Sequence, residues 1–310
     1  MTTRVVAALG RFAGMAPMLE AAVPGVDIVP WSDGQPVPEG AEVLVTLPAG
    51  GDPGTGALVP SVRWVHVLAA GVDGFPLEHV GDRVVTCSRG ATAPAIAEFV
   101  LACMLAFEKQ LPDTWVTEPP ERWTLASLGG LTGKTLGLVG VGAIGTEVAR
   151  RALAFDMPVV AHRRTGAAMP VDGIERVAAL ADLLPAADHL VVAAPATAQT
   201  HHLLDAEALA SMKPGAHLVN VSRGTLVDQD ALLAALDAGR LAMASLDVCD
   251  PEPLPAGHPL YSHPKVRLSP HISWSSPGSL ERTVAAFATN VGRWQQGAPL
   301  TGLVDVTAGY

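Results

Sequence analysis

Short apolar segments alternate with helical patterns along the whole chain, which is typical of α/β proteins built on parallel sheets. The first series predicts strands at residues 4–9, 26–29, 42–47, 64–68 and 83–86. The second series predicts strands at residues 135–140, 158–161, 189–193, 217–221, 242–246 and 266–268. Longer helical patterns cover residues 92–110, 143–155 and 278–295. The predicted fold class is α/β, with two Rossmann- or flavodoxin-like domains, parallel sheets and an interdomain cleft.

The two series also predict how the chain divides. One domain is expected to combine residues 1–100 with residues 280–310, and the other to contain residues 101–279. A polar, proline-containing stretch at residues 111–123 separates the long helix from the second series and predicts an arm. Ligands of open α/β sheets bind outside the carboxyl ends of the strands, so functional side chains are expected just after the strands.

Composition narrows the possible classes of protein. Of the 310 residues, 49% are hydrophobic and 16% are charged, which argues against disorder. A net charge of −10 without any basic run argues against a nucleic-acid surface. The longest apolar stretch, residues 94–107, contains Glu98 and is too short to span a bilayer. Three cysteines without CxxC spacing, and no signal-peptide pattern, indicate a cytoplasmic protein with neither a disulfide framework nor a metal site.

The most specific local motif is a glycine-rich turn between a predicted strand and a predicted helix. Gly140 permits a tight turn, Gly142 allows a pyrophosphate to approach the backbone, and Gly145 allows the helix to pack closely on the strand. With Ala143 and Ile144 between them, these glycines begin a helix whose N-terminus favours phosphate. The context predicts a dinucleotide site rather than a merely structural glycine cluster.

The end of the next predicted strand indicates which dinucleotide binds. An NAD-binding domain places Asp or Glu about 20 residues after the glycines, where the carboxylate accepts from the ribose 2′-OH. This chain has His162, Arg163, Arg164 and Thr165 at that place and no acidic residue. Two guanidinium groups and a hydroxyl can bind a 2′-phosphate, although the same residues could form a solvated basic loop. The pattern favours NADP(H), with NAD(H) as the alternative.

Three further segments carry side chains suited to acid–base chemistry. They are residues 220–224, 245–255 and 269–274, and each follows a predicted strand of the second series. Together with the glycine turn, these segments resemble the D-isomer-specific 2-hydroxyacid dehydrogenase family over nearly the whole chain. Residues 70–73, 131–140 and 212–215 also match motifs of that family in order and spacing.

The resemblance implies hydride transfer between a nicotinamide cofactor and a small 2-oxo or 2-hydroxy acid. Arg223 would bind the substrate carboxylate and polarise the carbonyl group, because a guanidinium fork suits a planar carboxylate. His271 would exchange a proton with the carbonyl oxygen. Glu252 would hydrogen-bond His271 and favour the charged imidazolium that reduction requires. The first domain would bind substrate and the second would bind cofactor.

Other positions are assigned by the same resemblance. Further cofactor contacts would come from Pro195, Thr197, Thr200, Val221, Ser222 and Asp247. Further substrate contacts would come from Ala70, Gly71 and Trp274, with the loops at residues 47–51 and 69–74 selecting the substrate side chain. The resemblance also implies a homodimer in which the arm at residues 111–123 takes part.

Departures from related families narrow the expected activity. Glu252 stands where formate dehydrogenases have Gln, and Ala70 stands where phosphite dehydrogenases have Lys. The basic residues Arg163 and Arg164 instead resemble those of NADPH-preferring glyoxylate and hydroxypyruvate reductases. Two alternatives remain at this point. One is a dehydrogenase that oxidises a larger 2-hydroxy acid, and the other is a cofactor-sensing, corepressor-like binding protein.

Overall fold

The computed structural model of the chain describes residues 3–47, 53–124 and 126–310. It contains two compact units, Met1–Thr92 with Ser276–Tyr310 (unit 1) and Ala93–Ser275 (unit 2). The divisions between the units fall after residues 92 and 275, slightly before the expected boundaries after residues 100 and 279. The first boundary differs because the helix that begins at Ala93 packs along its whole length in unit 2. Among the described residues, no helix combines the length and apolar character needed to cross a membrane.

Unit 1 is built on a five-stranded sheet in which all neighbouring strands are parallel. Its strands are β1 (Arg4–Ala8), β2 (Asp27–Pro30), β3 (Ala41–Thr46), β4 (Trp64–Val67) and β5 (Val84–Cys87). The spatial order β2-β1-β3-β4-β5 is the order of flavodoxin-like sheets. Among the described residues of this unit, two α-helices accompany the sheet, α1 (Ala16–Ala22) and α7 (Ser279–Gln295).

Side-chain alternation along these strands explains how the sheet is buried. Val5 and Val43 face a cluster that includes Phe287 of α7, whereas Val6 and Leu44 belong to a separate cluster on the opposite face. Successive residues of a strand point to opposite faces, so a near-continuous apolar run fits a sheet covered on both sides.

Unit 2 is built on a seven-stranded parallel sheet. Its strands are β6 (Leu136–Val139), β7 (Val159–His162), β8 (Ile174–Val177), β9 (His189–Val192), β10 (Ala216–Asn220), β11 (Leu241–Leu246) and β12 (Val266–Leu268). Its helices are α2 (Ala93–Glu108), α3 (Ala143–Ala154), α4 (Leu180–Leu183), α5 (Ala206–Ser211) and α6 (Gln229–Asp237). The order β12-β11-β10-β9-β6-β7-β8 reverses direction beside β6, as in a Rossmann sheet.

The α/β prediction with two parallel sheets is confirmed, and β8 is the strand that sequence patterning missed. This strand lies at the edge of the unit 2 sheet, and its central Glu175 and Arg176 are exposed. A short edge strand with polar central residues lacks the apolar run that identifies its buried neighbours.

Candidate active site

The glycine-rich turn connects β6 to α3 with a conformation that explains its sequence. Gly140 has φ +94°, and a Cβ there would lie 2.8 Å from the backbone of Ala194. At Gly145 a Cβ would lie 2.4 Å from the carbonyl oxygen of Gly140. A side chain at either position would therefore collide with backbone atoms. At Gly142, by contrast, a Cβ would meet open space.

This open side of the turn lies at the N-terminus of α3. Gly142 is the N-cap of that helix, and Ala143 and Ile144 follow as its first residues. Helix N-termini carry backbone N–H groups without intrahelical acceptors and a partial positive charge, both of which suit a phosphate. The turn therefore has the shape and polarity that a dinucleotide pyrophosphate requires.

The basic residues predicted to select the dinucleotide lie at the carboxyl end of β7. His162 is the last residue of the strand, and its Nδ1 is buried without a hydrogen-bond partner among the described residues. The Arg163 side chain donates to the carbonyl oxygen of Ala168 at 2.9 Å. Arg164 and Thr165 are exposed. No acidic residue occurs in this stretch, so it offers no carboxylate to a ribose 2′-OH. It does offer two guanidinium groups to a phosphate.

The loop after β9 is held by a small hydrogen-bond network. The Thr200 hydroxyl donates to the carbonyl oxygen of Pro195 at 2.8 Å and accepts from the Thr197 backbone N–H at 2.8 Å. The Ser222 hydroxyl donates to the carbonyl oxygen of Ala194 in the same loop. Val221 is buried beside Ser222. The structure thus brings together Pro195, Thr200 and Ser222 after neighbouring strands β9 and β10.

Arg223 follows β10 and is oriented by its own flanking residues. The Asn220 side chain donates to the Arg223 carbonyl oxygen at 2.9 Å and accepts from the Ser222 N–H at 3.0 Å. A Cβ at Gly224 would lie 2.1 Å from the carbonyl carbon of Cys249, so only glycine allows these two loops to approach. Asn220 therefore positions Arg223, and Gly224 brings the loop after β10 against the loop after β11.

His271 and Glu252 form a hydrogen-bonded pair. His271 Nδ1 lies 2.8 Å from Glu252 Oε2, and the Cys249 N–H donates to Glu252 Oε1 at 3.2 Å. The two side chains are 40% and 36% exposed, so the pair is open to solvent. Partial burial raises the pKa of Glu252, but the hydrogen bond and charge of His271, the Cys249 N–H and the Arg223 charge together bring that pKa below its ordinary value. Glu252 is accordingly a carboxylate at neutral pH, and it orients the ring so that Nε2 faces away from it.

Asp247 holds the backbone that carries His271. Its Oδ1 accepts from the Ser269 hydroxyl at 2.6 Å and the Ile272 N–H at 2.9 Å, and its Oδ2 accepts from the Ser273 N–H at 2.9 Å. Its carbonyl oxygen accepts from the His271 N–H at 2.9 Å. His271 has φ +54°, a conformation that non-glycine residues seldom adopt, and these bonds on both sides maintain it. Asp247 is 1% exposed, and both oxygens of its carboxylate accept hydrogen bonds from groups of the protein itself.

The remaining predicted substrate residues are placed as follows. Ala70 and Gly71 lie in the loop after β4 in unit 1, and Ala70 is exposed. The Trp274 indole N–H donates to the His271 carbonyl oxygen at 2.9 Å, and the ring is 39% exposed. Of the loop at residues 47–51, which was predicted to select the substrate side chain, positions 48–51 lie outside the described residues.

Two positioning residues were missed by sequence reasoning. Asn220 and Ser269 each bind the backbone or the anchor of a proposed catalytic residue. The available signal was their place, because each is a polar residue at, or directly after, the carboxyl end of a strand. Such residues commonly fix neighbouring backbone groups through short local hydrogen bonds.

Comparison with known proteins agrees with this geometry. Residues 101–273 match the model of the D-isomer specific 2-hydroxyacid dehydrogenase NAD binding domain. The chain belongs to the D-isomer specific 2-hydroxyacid dehydrogenase family. The matched residues include the glycine turn, Arg223, Glu252 and His271. As a family member the protein is an oxidoreductase that uses a nicotinamide cofactor.

Individual relatives lie within the same family. The dehydrogenase is 33% identical to the glyoxylate reductase of Thermofilum pendens, over 75% of this chain and 71% of the relative. It is 37% identical to glyoxylate/hydroxypyruvate reductase B of Pectobacterium atrosepticum, over 69% of each chain. Its fold is similar to that of a D-isomer specific 2-hydroxyacid dehydrogenase from Xanthobacter autotrophicus Py2 crystallised with NADPH and MES. That structure has a TM-score of 0.86 and 29% identity over 100% of both chains.

Proposed function

We propose that this dehydrogenase reduces a small 2-oxo acid of the glyoxylate or hydroxypyruvate type to the D-2-hydroxy acid, with NADPH as the preferred reductant. The observation that carries the proposal is the 2.8 Å contact between His271 Nδ1 and Glu252 Oε2. A carboxylate on one ring nitrogen stabilises the doubly protonated ring and leaves the other nitrogen able to give a proton. The names of the glyoxylate and hydroxypyruvate reductases among the relatives support this substrate class.

The proton-transfer step assigns a different role to each member of the pair. His271 transfers the Nε2 proton to the carbonyl oxygen of the substrate, while its Nδ1–H stays hydrogen-bonded to Glu252. Glu252 offsets the positive charge of the ring before transfer, so it acts as a positioning and electrostatic residue. Asp247 keeps the imidazole at its place through the surrounding backbone.

Arg223 is the proposed partner of the substrate carboxylate and carbonyl group. Its guanidinium can form two parallel hydrogen bonds with a planar carboxylate, which a lysine could not reproduce. In unit 1, the backbone N–H groups of Ala70 and Gly71 are the proposed donors to the same carboxylate, and in unit 2 Trp274 is the proposed side wall. Charge that develops on the carbonyl oxygen is stabilised by Arg223 and His271.

The nicotinamide dinucleotide, when bound, supplies the hydride to the carbonyl carbon. The N-terminus of α3 would hold its pyrophosphate, with Gly142 offering room for close approach. The loop that contains Pro195, Thr197 and Thr200 would run under the cofactor, and Val221 and Ser222 would line its nicotinamide side. Arg163, Arg164 and Thr165 would hold a 2′-phosphate, and the buried Nδ1 of His162 offers one more polar atom there. The NADPH in the Xanthobacter structure supports this preference.

The cofactor preference is tested by removing the two guanidinium groups. The double variant Arg163→Gln/Arg164→Gln should lose affinity for NADPH by at least about tenfold to a hundredfold, which is the effect of losing one charged hydrogen bond of about 1.5–3 kcal/mol, whereas NADH affinity should change little. Arg176→Gln, an exposed arginine on the neighbouring strand β8, is the matched control. Equal losses for both cofactors in the double variant would contradict the preference.

The activity itself is tested by initial rates with glyoxylate, hydroxypyruvate, pyruvate and phenylpyruvate, each with NADPH and with NADH. His271→Ala should lower kcat by about 10²- to 10⁴-fold, the usual contribution of a general acid, while cofactor binding measured by fluorescence is retained. Turnover in the oxidative direction alone would favour a dehydrogenase of a larger 2-hydroxy acid. Cofactor binding without turnover in either direction would favour a corepressor-like binding protein.

The proposal includes a homodimer in which the arm at residues 111–123 takes part. Within the arm, Trp115 and Trp123 are 71% and 70% exposed, which is unusual for large aromatic side chains outside an interface. A groove of about 800 Å³ lies where α2 meets the start of the arm, lined in part by Phe107, Leu111 and Pro112. Sedimentation should give a dimer for the wild type and a monomer for Trp115→Ala/Trp123→Ala. A monomeric wild type would contradict this part of the proposal.

A further inference from the structure

The segment that carries Glu252 leaves the core shortly after β11. Val248 and Leu254 are buried, whereas residues 250–253 between them are exposed. An exposed segment has few packing contacts to fix its conformation, so its backbone depends on hydrogen bonds from neighbouring elements. The 2.8 Å contact of Glu252 with His271 therefore requires a partner that holds this segment in place.

The Gln229 side chain binds both backbone groups of one residue in this segment. Its Nε2 donates to the Asp250 carbonyl oxygen, and its Oε1 accepts from the Asp250 N–H at 3.1 Å. The pairing fixes which side of the amide faces which group, because a carbonyl oxygen needs a donor and an N–H needs an acceptor. A single bond would leave the segment free to turn about it, whereas two bonds from one planar amide restrict both its position and its orientation.

Gln229 is itself supported by a helix that is anchored at its start and along its length. It is the first residue of α6, and the N-cap Asp228 accepts from the Asp230 and Ala231 N–H groups at 3.1 and 3.0 Å. Two leucines of the same helix are fully buried in the core of unit 2. The helix is thus a rigid support from which Gln229 reaches the exposed segment.

The Asp250 backbone adjoins both loops of the proposed catalytic machinery. The preceding Cys249 N–H donates to Glu252 Oε1 at 3.2 Å. A Cβ at Gly224 would lie 2.5 Å from the Asp250 nitrogen, so the loop that carries Arg223 packs against the same peptide group. A shift of the Asp250 backbone would therefore move Glu252.

We propose that Gln229 is a positioning residue of the active site, which holds the Asp250 backbone and through it the carboxylate that pairs with His271. This inference rests on the proposed function, in which that pair serves proton transfer. Glutamine suits the role because its amide supplies one donor side and one acceptor side. An ionised carboxylate of the same length supplies only acceptors, and a thioether supplies no donor and only a weak acceptor.

The variant Gln229→Met removes both hydrogen bonds at a similar side-chain length. With the 2-oxo acid that the wild type reduces fastest, kcat should fall by at least about fivefold, the equivalent of one net hydrogen bond. The alkaline limit of the pH–rate profile should move to lower pH, because the protonated His271 ring loses part of its counter-charge. KM for the 2-oxo acid and affinity for NADPH should change little. Gln229→Glu keeps the acceptor for the Asp250 N–H and should recover part of kcat.

A double-variant cycle separates positioning from a general loss of stability. If Gln229 acts through Glu252, Gln229→Met/Glu252→Gln should be no more than about twofold slower than Glu252→Gln alone, whereas independent effects would multiply. Gln296→Met makes the same substitution at an exposed position after α7 and should leave kcat and the pH profile unchanged. Rates are taken per folded molecule, with the folded fraction measured by circular dichroism. Should Gln229→Met not fold, the same comparisons are made with Gln229→Glu.

The outcomes distinguish failure of the inference from failure of the proposed function. A wild-type pH profile in the folded Gln229 variant, or multiplied losses in the double variant, would overturn the positioning role while the 2-oxo acid reductase stands. If the wild type reduces no 2-oxo acid with either cofactor, the proposed function fails, and this inference fails with it.

Discussion

Two histidine–carboxylate pairs in unit 2 use the same side chains in opposite environments. His271 and Glu252 are 2.8 Å apart and open to solvent, whereas His189 and Glu108 are 3.0 Å apart and their side chains are 0% and 2% exposed. Solvent can reach the His271 ring, which the proposed acid–base role requires. Burial lowers the pKa of His189 despite the opposing charge and hydrogen bond of Glu108, so this ring stays neutral.

The buried pair continues as a chain of hydrogen bonds with one consistent direction. Lys134 donates to Glu108 at 2.6 Å, and the same carboxylate accepts from His189 Nε2. His189 Nδ1 must then accept from His217 Nδ1 at 3.2 Å, and His217 Nε2 must accept from the Ser245 hydroxyl at 2.9 Å. The comparison teaches that a histidine–carboxylate contact is not by itself a sign of catalysis. Its access to water decides between proton transfer and structural support.

The largest effect should come from removing the buried carboxylate. Glu108→Ala leaves the buried His189 N–H without an acceptor, at about 1–3 kcal/mol, and removes the charged hydrogen bond from the partly exposed Lys134, at about 1.5–3 kcal/mol, so the free energy of unfolding in urea should fall by about 3–5 kcal/mol. Activity per folded molecule should stay unchanged. Glu98→Ala removes an exposed carboxylate from the same helix α2 and should cost less than about 1 kcal/mol. A catalytic defect in folded Glu108→Ala would erase the contrast between the pairs.

Removing the charge of Glu252 from the exposed pair should lower activity rather than stability. Glu252→Gln keeps a hydrogen-bond acceptor for His271 but removes the charge, so kcat for reduction should fall by about tenfold to a hundredfold at neutral pH. The alkaline limit of the pH–rate profile should move to lower pH, because the protonated ring loses its counter-charge. Thermal stability should change little. Glu207→Gln, an exposed residue in the first turn of α5, is the control. A pH profile identical to that of the wild type would remove Glu252 from the mechanism.

Much of the fold followed from local pattern, as the strands around the glycine turn illustrate. The apolar run at residues 135–140 and the glycines after it predict both β6 and the start of α3, because backbone sterics allow few alternatives. The edge strand β8 was missed, since its two central residues are charged and its formation depends on pairing with β7. The position of the division between the units also depends on packing that no local pattern records.

The candidate site shows a similar limit. Arg223, Glu252 and His271 could be selected as residue types in family order, but the supporting bonds of Asn220 and Asp247 depend on which loops meet. The buried chain from Glu108 to Ser245 crosses α2, β9, β10 and β11. Its members are far apart in sequence, and only the parallel register that sets His217 opposite His189 brings them together.

Acid should destabilise the protein through its buried histidines. Burial lowers the pKa of His66 to about 3, and burial lowers the pKa of His217 to about 3, with repulsion between the protonated forms of His217 and His189 as the second cause. Because the folded-state pKa lies below the unfolded value of about 6.5, the stabilisation is complete above pH 6.5 and is lost as the pH falls toward 3. Each of these two residues should remove about 2 kcal/mol of unfolding free energy between pH 7 and pH 5.

Urea unfolding at a series of pH values measures how steeply the free energy of unfolding falls as the pH is lowered. Between pH 6.5 and 5 the depressed carboxylates, such as Glu252, are still ionised, so the window isolates the histidines. His217→Gln should reduce the pH dependence of the free energy of unfolding by the contribution of one proton. His79→Gln, which changes neither of these two buried histidines, should leave the pH dependence as it is. A wild-type stability that is constant over this window would contradict neutral burial.

The smallest effect tests the direction of the buried chain. Ser245→Ala removes the donor to His217 Nε2 and should cost about 1 kcal/mol of stability, with activity per folded molecule unchanged. The ¹⁵N shifts of His217 should still report a proton on Nδ1, because the alternative tautomer would leave His189 Nε2 unprotonated against the Glu108 carboxylate. Two acceptors cannot share that 3.0 Å contact. A proton found on His217 Nε2 would mean that the chain runs from Glu108 outward, and that Glu108 is protonated where Glu252 is not.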